Sequence, residues 1–508
     1  MGKIKSLNYL LNFSKKAKKL KKKLVLCHGN FDLIHFGHLN HFKKAKKLGD
    51  YLVVSITSDK FIKKGLDRPF FKQRQRLEFL SHLSMIDFVY LDDNTTAKNL
   101  ISKLKPDFYV KGNDYKKFLN KKNTNLFLEK KEVEKYGGKF FLTNEESFSS
   151  SNLINQNILS NNLRNKIQNI KKKFSHEKIL SVIENISKLK ILIIGDTILD
   201  QYNFVAPLGK PSKENIIATL YDKKQLFAGG IFSSIDTISS FCNNVDFITT
   251  VGNDKLYFNY LVKKIPKNIK KYLIYKTESV TTRKIRYVEK NQFKIKKLFE
   301  VYRMKDDPIN KKIEYKIDNY LKKNLRKYDI VLVHDYGHGL LTKKIIDTIQ
   351  SKSKYLCVNA QLNAGNKGYN LITKYQKAKY YCLDIDEARM AVHDKNCIDK
   401  EVPNLLMEKL NAINLAVTTG SNGSISKSKN KPIFHMPSFS NVAVDTMGAG
   451  DAYYILSSPI LYLTNSIELA SFVGNLAGSL KIRIPGHQRR IDKKFFLENL
   501  NSYLKTEK

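Results

Sequence analysis

The chain has no tryptophan and only five cysteines among 508 residues. None of the cysteines forms a Cys-x-x-Cys pair or has the spacing of a zinc site. This pattern excludes a disulfide-stapled domain and predicts buried free thiols in a reducing cytoplasm. We therefore expect a cytoplasmic protein without a resident metal cluster. The cysteines are Cys27, Cys242, Cys357, Cys382 and Cys397.

Long apolar runs are also lacking. Residues 454–480 are rich in apolar side chains, but Asn465, Glu468 and Asn475 interrupt them before the ~20 uncharged residues that a membrane helix needs. The lysine-rich run 15–23 has no following apolar segment and no small-residue cleavage site, unlike a targeting peptide. We predict no membrane partner and interpret this run as the solvated face of a helix.

Acidic residues are scarce relative to basic ones. There are 90 Lys and Arg residues against 47 Asp and Glu, a formal net charge of +43. Such charge can mark a nucleic-acid-binding protein, and that alternative rests on charge alone. The lysines are spread over both halves, with many Asn, Ile and Tyr residues, as an adenine/thymine-rich coding bias produces. Because clustered basic residues with interleaved aromatics are not evident, we expect no nucleic-acid partner.

The length predicts more than one domain. We place a first domain at 1–160, a helical linker at 161–188 and a second domain at 189–508, where a new apolar strand begins. Apolar runs of strand length alternate with helical patterns in both halves. This alternation predicts α/β domains with parallel sheets covered by helices.

A motif with two histidines around a glycine follows the apolar run 24–26. It reads Gly29-Asn30-Phe31-Asp32-Leu33-Ile34-His35-Phe36-Gly37-His38. The layout predicts a strand, a tight turn and a helix that opens at the second histidine. A helix N-terminus attracts phosphate, and glycines let the backbone approach it, so the motif indicates a triphosphate site. The plainer alternative is that both histidines merely sit at a helix start.

This segment resembles the HxGH nucleotidyltransferase family, which has a Rossmann-like fold. The resemblance implies that His35 and His38 stabilise the transferring α-phosphate. It also implies that Lys63 or Lys64, with Arg76, neutralises the β- and γ-phosphates. The Val-Lys-Gly-x-Asp-Tyr version at 110–115 resembles the adenylyltransferase half of the bifunctional ADP-heptose synthesis family, which favours ATP and leaves CTP open. The implied nucleotide-binding residues are Gly29, Phe31, Asp32, Lys63, Lys64, Arg76, Asp114, Ser149 and Ser150.

The C-terminal half carries a second glycine-rich motif after the apolar segment 442–444. It reads Asp445-Thr446-Met447-Gly448-Ala449-Gly450-Asp451-Ala452. Three small residues before a helix leave N–H groups free to bind an anion, and a carboxylate stands beside them. An anion hole next to a base suits phosphoryl transfer to a hydroxyl. The alternative is a glycine-rich turn capped by Asp451.

The motif resembles the signature of ribokinase-like (PfkB) sugar kinases, and the other family segments follow in the family's order. The resemblance implies a ribokinase-like α/β domain in which Asp451 accepts the proton of the sugar hydroxyl. The implied roles are an anion hole at Gly448, Ala449 and Gly450, sugar contacts at Asp196, Gly229 and Gly230, and ATP contacts at Thr419, Gly420, Gly423 and Asn475.

The kinase half departs from the family at three places. Ser233 stands where the family usually has Asn, His338 replaces a usual Lys, and the segment ending Asn359-Ala360-Gln361 replaces an Asp-Pro-Lys type segment. These departures leave open a different sugar or a weakened site. No P-loop and no Gly-x-Gly-x-x-Gly fingerprint is present, so phosphate binding rests on the loops above.

Both halves resemble the bifunctional ADP-heptose synthesis family, with the domain order swapped. We predict a sugar (phosphate) kinase and sugar-1-phosphate nucleotidyltransferase that uses ATP with Mg²⁺ and sugar phosphates, and we expect a homo-oligomer. One alternative is a cytidylyltransferase for a polyol phosphate fused to an unrelated sugar kinase. Another is a C-terminal half that has decayed into a sugar-binding module.

Overall fold

The computed structural model describes residues 2–62, 66, 68–112, 115, 124–143, 160–267, 269–276, 279–290, 294–440 and 442–504. The chain divides between Ser160 and Asn161 into two compact units. Each unit has its own parallel sheet with helices against it, and the predicted α/β fold class is confirmed. The segment 161–188 forms two helices whose apolar faces pack within the second unit.

The first unit contains a parallel sheet of order β3-β2-β1-β4-β5. Strand β1 is buried on both faces, with Val25 and Cys27 in one core and Leu24 and Leu26 in the other, because successive side chains of a strand point to opposite faces. The strands are β1 (Leu24–Gly29), β2 (Tyr51–Thr57), β3 (Phe88–Asp92), β4 (Phe108–Lys111) and β5 (Lys139–Leu142). The helices described here are α1 (Leu7–Lys19), α2 (Phe36–Lys46), α3 (Gln73–Ser81), α4 (Lys98–Leu104) and α5 (Asn125–Lys135).

The second unit is built on a sheet of order β10-β9-β6-β13-β14-β15-β16-β17-β18. Its strands run parallel as far as β16, and β17 and β18 continue the sheet antiparallel. These strands are β6 (Lys190–Gly195), β9 (Asn244–Gly252), β10 (Lys270–Lys276), β13 (Ile330–Asp335), β14 (Leu356–Ala360), β15 (Tyr380–Asp384), β16 (Asn414–Thr418), β17 (Ser424–Ser428) and β18 (Phe434–Met436).

A smaller sheet of order β12-β11-β7-β8 also belongs to the second unit. The strands β7 and β8 are long and antiparallel, a feature that the alternation of strands and helices in the sequence did not predict. On one face of this sheet, side chains such as Leu220 and Phe299 are exposed, and the other face packs around Tyr202 and Phe227. The strands are β7 (Thr197–Gly209), β8 (Ala218–Gly230), β11 (Arg283–Lys290) and β12 (Ile295–Arg303).

The helices of the second unit lie mainly against the large sheet. The longest of the described helices, α14, begins within the glycine-rich motif, and its central residues Ala452–Leu461 are buried. Among the described residues, the structure holds no helix with the length and apolarity needed to cross a membrane. The helices are α6 (Asn161–Lys173), α7 (His176–Asn185), α8 (Ile231–Ile238), α9 (Lys255–Lys264), α10 (Lys311–Asn324), α11 (Lys343–Lys352), α12 (Ile385–Val392), α13 (Val402–Leu410), α14 (Ala449–Thr464), α15 (Ile467–Lys481) and α16 (Lys493–Leu504).

Candidate active sites

The two motif histidines of the first unit meet at the start of α2. His35 is the residue that precedes the helix, and His38 is its third residue. The two imidazole rings stack with their centroids 3.9 Å apart, and the backbone N–H of His35 donates to Nδ1 of His38 at 3.4 Å. The pair therefore stands at the positive end of a helix dipole, where an anion is favoured.

The sheet order explains why a site forms at this place. The chain builds β1, β2 and β3 outward in one direction and then returns to place β4 on the other side of β1. Ligands of open parallel sheets bind at such a switch point, outside the carboxyl ends of the strands. Gly29 ends β1 at this edge and Lys111 ends β4 beside it.

Asp32 follows the end of β1 by three residues, is buried, and forms an ion pair with a buried arginine, Arg68. Its carboxylate accepts from Nε of Arg68 at 2.7 Å and from the backbone N–H of Phe71 at 3.0 Å. The side chain of Arg68 is only 3% exposed, and within the described residues its two terminal nitrogens have no hydrogen-bond partner. A buried guanidinium with unused donors is suited to an anion. Sequence reasoning gave Arg68 no role.

Arg76 is bound by four oxygen atoms of the protein. Its guanidinium is fully buried and donates to the backbone oxygens of Phe71, Asn30 and Thr57 and to a carboxylate oxygen of Asp59. Its side chain is thus engaged by protein acceptors that join α3 to the loops after β1 and β2. Four of its five N–H donors are thus used within the fold, and its role in neutralising the phosphates stays a prediction.

The glycine requirement at Gly29 has a local cause. A Cβ at this position would lie 2.9 Å from the ring of Phe31, which is buried and adopts a left-handed backbone conformation with φ of 44°. The Phe31 ring in turn contacts His38, with ring centroids 5.4 Å apart. Gly29 and Phe31 therefore shape the turn that supports the histidines. The predicted nucleotide contacts Lys63, Lys64, Asp114, Ser149 and Ser150 lie outside the described residues.

A buried polar network backs the first site. Lys111 donates to the backbone oxygen of His28 at 3.0 Å and pairs with Glu129 at 3.4 Å. Burial and the Lys111 charge lower the pKa of His28 to about 3, and the same two causes lower the pKa of His41 to about 4. Both of these histidines are therefore neutral at physiological pH and belong to the core.

In the second unit, Asp451 lies in the first turn of α14, where three side chains approach one oxygen of its carboxylate. Oδ1 accepts from the Tyr336 hydroxyl at 2.9 Å and from Nε2 of Gln361 at 2.7 Å, and Nδ1 of His334 lies 3.7 Å away. Burial tends to raise the pKa of Asp451, but the neighbouring His334 and the hydrogen bond from Tyr336 outweigh it and the pKa is lowered. The group is ready to act as a base.

Two cavities meet at this carboxylate. One, of about 400 Å³, is lined by Gly420, Gly423 and Asn475, and the other, of about 530 Å³, is lined by Ser233 and by basic side chains. Both are also lined by Gly448 and Asp451. A base between two cavities is the arrangement that transfer between two bound substrates requires.

The anion hole begins at Gly448, which precedes α14 with a φ of 72°. A Cβ added to Gly448 would lie 3.0 Å from Cε of Lys481, so the lysine stem packs directly on the loop. The Lys481 ammonium donates to the backbone oxygen of Gly486. Burial lowers the pKa of Lys481 to about 8, and the charge of Asp445 limits the fall. Sequence reasoning missed this cation, because Lys481 lies 30 positions after Asp451, at the end of another helix, α15.

Asp196, the predicted sugar ligand, is bound to the protein through one oxygen. Its Oδ2 accepts from the backbone N–H groups of Tyr336 and His338, at 3.1 and 3.2 Å, while Oδ1 has no hydrogen-bond partner in the described part of the chain. Neither cavity includes Asp196 in its lining. Asp196 therefore holds the turn after β13 in place.

Asp200, four residues later, lies closer to the second cavity. It pairs with Arg286, and its Oδ2 is 3.5 Å from Nε2 of the cavity residue His487. A Cβ on Gly229 would overlap the carboxylate of Asp200, and Gly230 has a φ of 56° at the start of α8. The glycine pair is thus required by the neighbouring protein, and its contact with the sugar stays a prediction.

The predicted ATP residues lie mostly around the first cavity. Gly420, Gly423 and Asn475 line it, whereas Thr419 does not. The backbone N–H of Thr419 donates to the Gly423 oxygen at 2.8 Å, which closes the loop between β16 and β17. The amide nitrogen of Asn475 donates to the Ser424 hydroxyl and to the backbone oxygen of Ser471, so both of its N–H groups are used within the protein.

The fold and these sites define two transferase-type domains in one chain. Residues 26–157 match the model of the cytidylyltransferase-like family, and residues 188–494 match that of the pfkB family carbohydrate kinases. The second match covers more than half of the chain, and the chain belongs to the pfkB carbohydrate kinase family. The prediction of a transferase with a nucleotidyltransferase domain before a PfkB kinase domain is confirmed.

Curated relatives match through the N-terminal domain. The bifunctional protein HldE of Campylobacter fetus is 44% identical over 115 residues, 22% of this chain and 24% of the relative. HldE of Geotalea uraniireducens is 37% identical over 156 residues, 30% of each chain, and HldE of Desulfatibacillum aliphaticivorans is 34% identical over 159 residues, 31% of each. The matched segment thus spans 24 to 31% of the length of these relatives.

Solved structures resemble the second unit. Ribokinase from Thermotoga maritima is 18% identical and covers 62% of this chain and 99% of its own, with a TM-score of 0.46. Phosphofructokinase-2 from Escherichia coli is 12% identical and covers 62% of this chain and 98% of its own, with a TM-score of 0.48.

Proposed function

We propose that the chain is a bifunctional enzyme of nucleotide-sugar synthesis, of the ADP-heptose type. Its second unit phosphorylates a sugar or sugar phosphate, and its first unit joins a sugar 1-phosphate to a nucleotide. The observation that carries the kinase half is the placement of Asp451 between two cavities at the start of α14. An intact base at this point argues against a decayed binding module.

In the kinase reaction, the sugar hydroxyl bonds to the γ-phosphorus of ATP and the bond to the leaving ADP oxygen breaks. Asp451 takes the hydroxyl proton. The N–H groups at the start of α14 and the nearby Lys481 ammonium stabilise the charge of the phosphoryl group in transfer. The cavity lined by Gly420, Gly423 and Asn475 takes ATP.

The second cavity supports a phosphorylated acceptor. Apart from Asp451 itself, its lining includes several cations and one acid, Asp236. This excess of positive charge beside the base is suited to a sugar that already carries a phosphate. The basic residues are Lys263, Lys264, Lys481, His487, Arg489 and Arg490.

In the nucleotidyl transfer, a phosphate oxygen of the sugar 1-phosphate bonds to the α-phosphorus of the nucleotide and pyrophosphate leaves. His35, His38 and the N-terminus of α2 stabilise the α-phosphate, and Arg68 neutralises part of the triphosphate. The resemblance of residues 110–115 to the adenylyltransferase half of the ADP-heptose synthesis family favours ATP over CTP.

Both reactions use a triphosphate, which normally arrives with Mg²⁺. Among the described residues, no group of three or more His, Cys, Asp or Glu side chains is arranged to hold a metal. Mg²⁺ is usually bound by one or two carboxylates plus substrate phosphates, and Asp384 and Glu387 line the ATP cavity. These two carboxylates fit an ion that arrives with the nucleotide and neutralises its phosphates.

The test is incubation of the purified chain with ATP or CTP and a panel of sugars, sugar phosphates and sugar 1-phosphates. We expect ADP and a new phosphate ester from a phosphorylated sugar, and a nucleotide sugar and pyrophosphate from a sugar 1-phosphate, resolved by mass spectrometry. Equal turnover of the matched unphosphorylated sugar would contradict the role of the basic cavity. Transfer of CMP in preference to AMP would favour the polyol-phosphate alternative.

A further inference from the structure

Gln361, one of the residues that depart from the family, follows β14 directly and contacts the proposed base Asp451. The amide nitrogen of Gln361 lies 2.7 Å from Oδ1 of Asp451, and the Tyr336 hydroxyl donates to the same oxygen at 2.9 Å. A carboxylate that receives two donors on one oxygen is restrained in rotation. Within the described residues, every hydrogen bond to this carboxylate is made to Oδ1.

The orientation of the Gln361 amide is determined by its neighbours. Nδ2 of Asn359 donates to the backbone oxygen of Cys382 at 2.9 Å, and a carbonyl oxygen can only accept. Oδ1 of Asn359 therefore faces Gln361, from which it accepts at 3.0 Å. Only the NH₂ group of Gln361 can satisfy both Asn359 and Asp451. Reversing either amide would oppose two acceptors.

The backbone of Gln361 is held equally firmly. Its N–H donates to the Asp335 oxygen at 2.8 Å, and its oxygen accepts from Nδ2 of Asn370 at 3.0 Å. Asn359 is 3% exposed, so water does not compete strongly for its amide. The chain from Cys382 through Asn359 and Gln361 to Asp451 is a preorganised donor, which we name the amide relay.

We propose that the amide relay is a positioning device that occupies Oδ1 of Asp451 and leaves Oδ2 to take the proton of the sugar hydroxyl. Asn359 and Gln361 are thus positioning residues for the kinase reaction. The inference rests on the proposed kinase function. It also gives a physical role to the Asn-Ala-Gln segment, which sequence comparison alone leaves as a departure from the family.

The test compares Gln361→Leu, Gln361→Lys and the wild type as full-length chains. Leu removes the donor, so kcat for sugar phosphorylation should fall about tenfold or more, the range expected for a lost hydrogen bond to a charged group. The acid limb of the pH profile of kcat should move to higher pH, because a donor that stabilises the ionised carboxylate is gone. The KM for ATP should change little.

Gln361→Lys restores a donor and should return the acid limb to the wild-type position or below it. Gln376→Leu, which alters an exposed amide of the same unit, is the matched control and should leave the profile unchanged. Thermal unfolding and calorimetric ATP binding check that each variant is folded.

The outcomes separate the relay from the kinase function. An active wild type whose kcat and acid limb are unaltered in Gln361→Leu overturns the relay alone. If kcat falls in both Gln361 variants while the acid limb stays at the wild-type position, Gln361 has only a structural role. That result also overturns the amide relay. A wild-type chain that phosphorylates no sugar overturns the kinase proposal and the relay together.

Discussion

Two arginines of the first unit show how burial and pairing decide what a residue can do. Arg76 donates hydrogen bonds to four protein oxygens. Arg68 donates to Asp32 through Nε, and within the described residues its two terminal nitrogens have no hydrogen-bond partner. Both stand in segments that resemble the nucleotidyltransferase family. Only the packed structure distinguishes a residue that builds the site from one that can contact the nucleotide.

Conservative substitutions test this distinction. Arg68→Lys keeps the charge but loses the planar fork, so the KM for the nucleotide should rise about tenfold with little change in melting temperature. Arg76→Lys removes buried hydrogen bonds and should instead lower the unfolding temperature of the first unit, at a cost of about 2 kcal/mol or more. Steady-state kinetics and calorimetry measure the two effects. The reverse pattern would return the phosphate role to Arg76.

A second residue-scale prediction concerns His28. Its folded-state pKa of about 3 is lower than the ordinary 6.5, so the neutral ring stabilises the fold above pH 6.5 and this contribution is lost as the pH falls toward 3. The loss should reach about 2 kcal/mol at pH 5. His28→Asn removes the titrating group and should flatten this dependence. Hydrogen exchange of the peptide Leu24–Gly29, corrected for intrinsic rates, measures it, and parallel pH profiles in both proteins would refute the assignment.

At the scale of elements, two glycines at the start of α14 allow the effect of backbone strain on stability to be tested apart from the effect of side-chain volume on ATP binding. Gly448 has a positive φ and close neighbours, whereas a Cβ on Gly450 would meet nothing within 4 Å. Gly448→Ala should therefore destabilise the second unit by about 1 kcal/mol or more. Gly450→Ala should keep or slightly raise stability, because alanine is favoured over glycine in a helix.

Gly450 lines the ATP cavity, and the methyl group of an alanine at this position would extend into open space there. Gly450→Ala should therefore raise the KM for ATP and slow sugar phosphorylation despite a stable fold. Calorimetry and kinetics on the two variants give the comparison. Equal stability of both variants, or full kinase activity in Gly450→Ala, would show that the loop does not hold the nucleotide phosphates.

The sequence predicted the parallel sheets and the two motifs because each depends on local features. A strand, a glycine turn and a helix start are neighbours along the chain, so His35, His38 and Asp451 could be assigned before any packing was known. The small sheet, the Lys481 contact and the amide relay depend on segments that are distant in sequence. Gln361 reaches Asp451 across 90 positions, and only the order of β13, β14 and β15 brings the two ends together.

At the scale of the whole molecule, two compact units hold the sites of the two proposed reactions. Each unit has its own sheet and core, and the chain divides between Ser160 and Asn161. The residues assigned to nucleotidyl transfer all belong to the first unit, and those assigned to phosphorylation all belong to the second. Because each proposed reaction has its site in a unit with its own core, we predict that either activity can be removed while the other is retained.

His38→Ala and Asp451→Asn test this independence in one crossed experiment. His38→Ala removes one preorganised contact to the transferring phosphate, so nucleotide-sugar formation from a supplied sugar 1-phosphate should fall about a hundred- to a thousandfold. Asp451→Asn keeps the shape of the side chain but removes the base, so sugar phosphorylation should fall about a hundredfold or more while ATP still binds.

Each variant should keep the other reaction near the wild-type rate when that reaction's substrates are supplied at saturating concentration. The two assays must therefore be run separately, one reading ADP and the other pyrophosphate. Because each change is confined to one unit, its effect on the second reaction measures coupling between the units directly. A single substitution that abolishes both reactions in a folded chain would show that the two sites depend on each other.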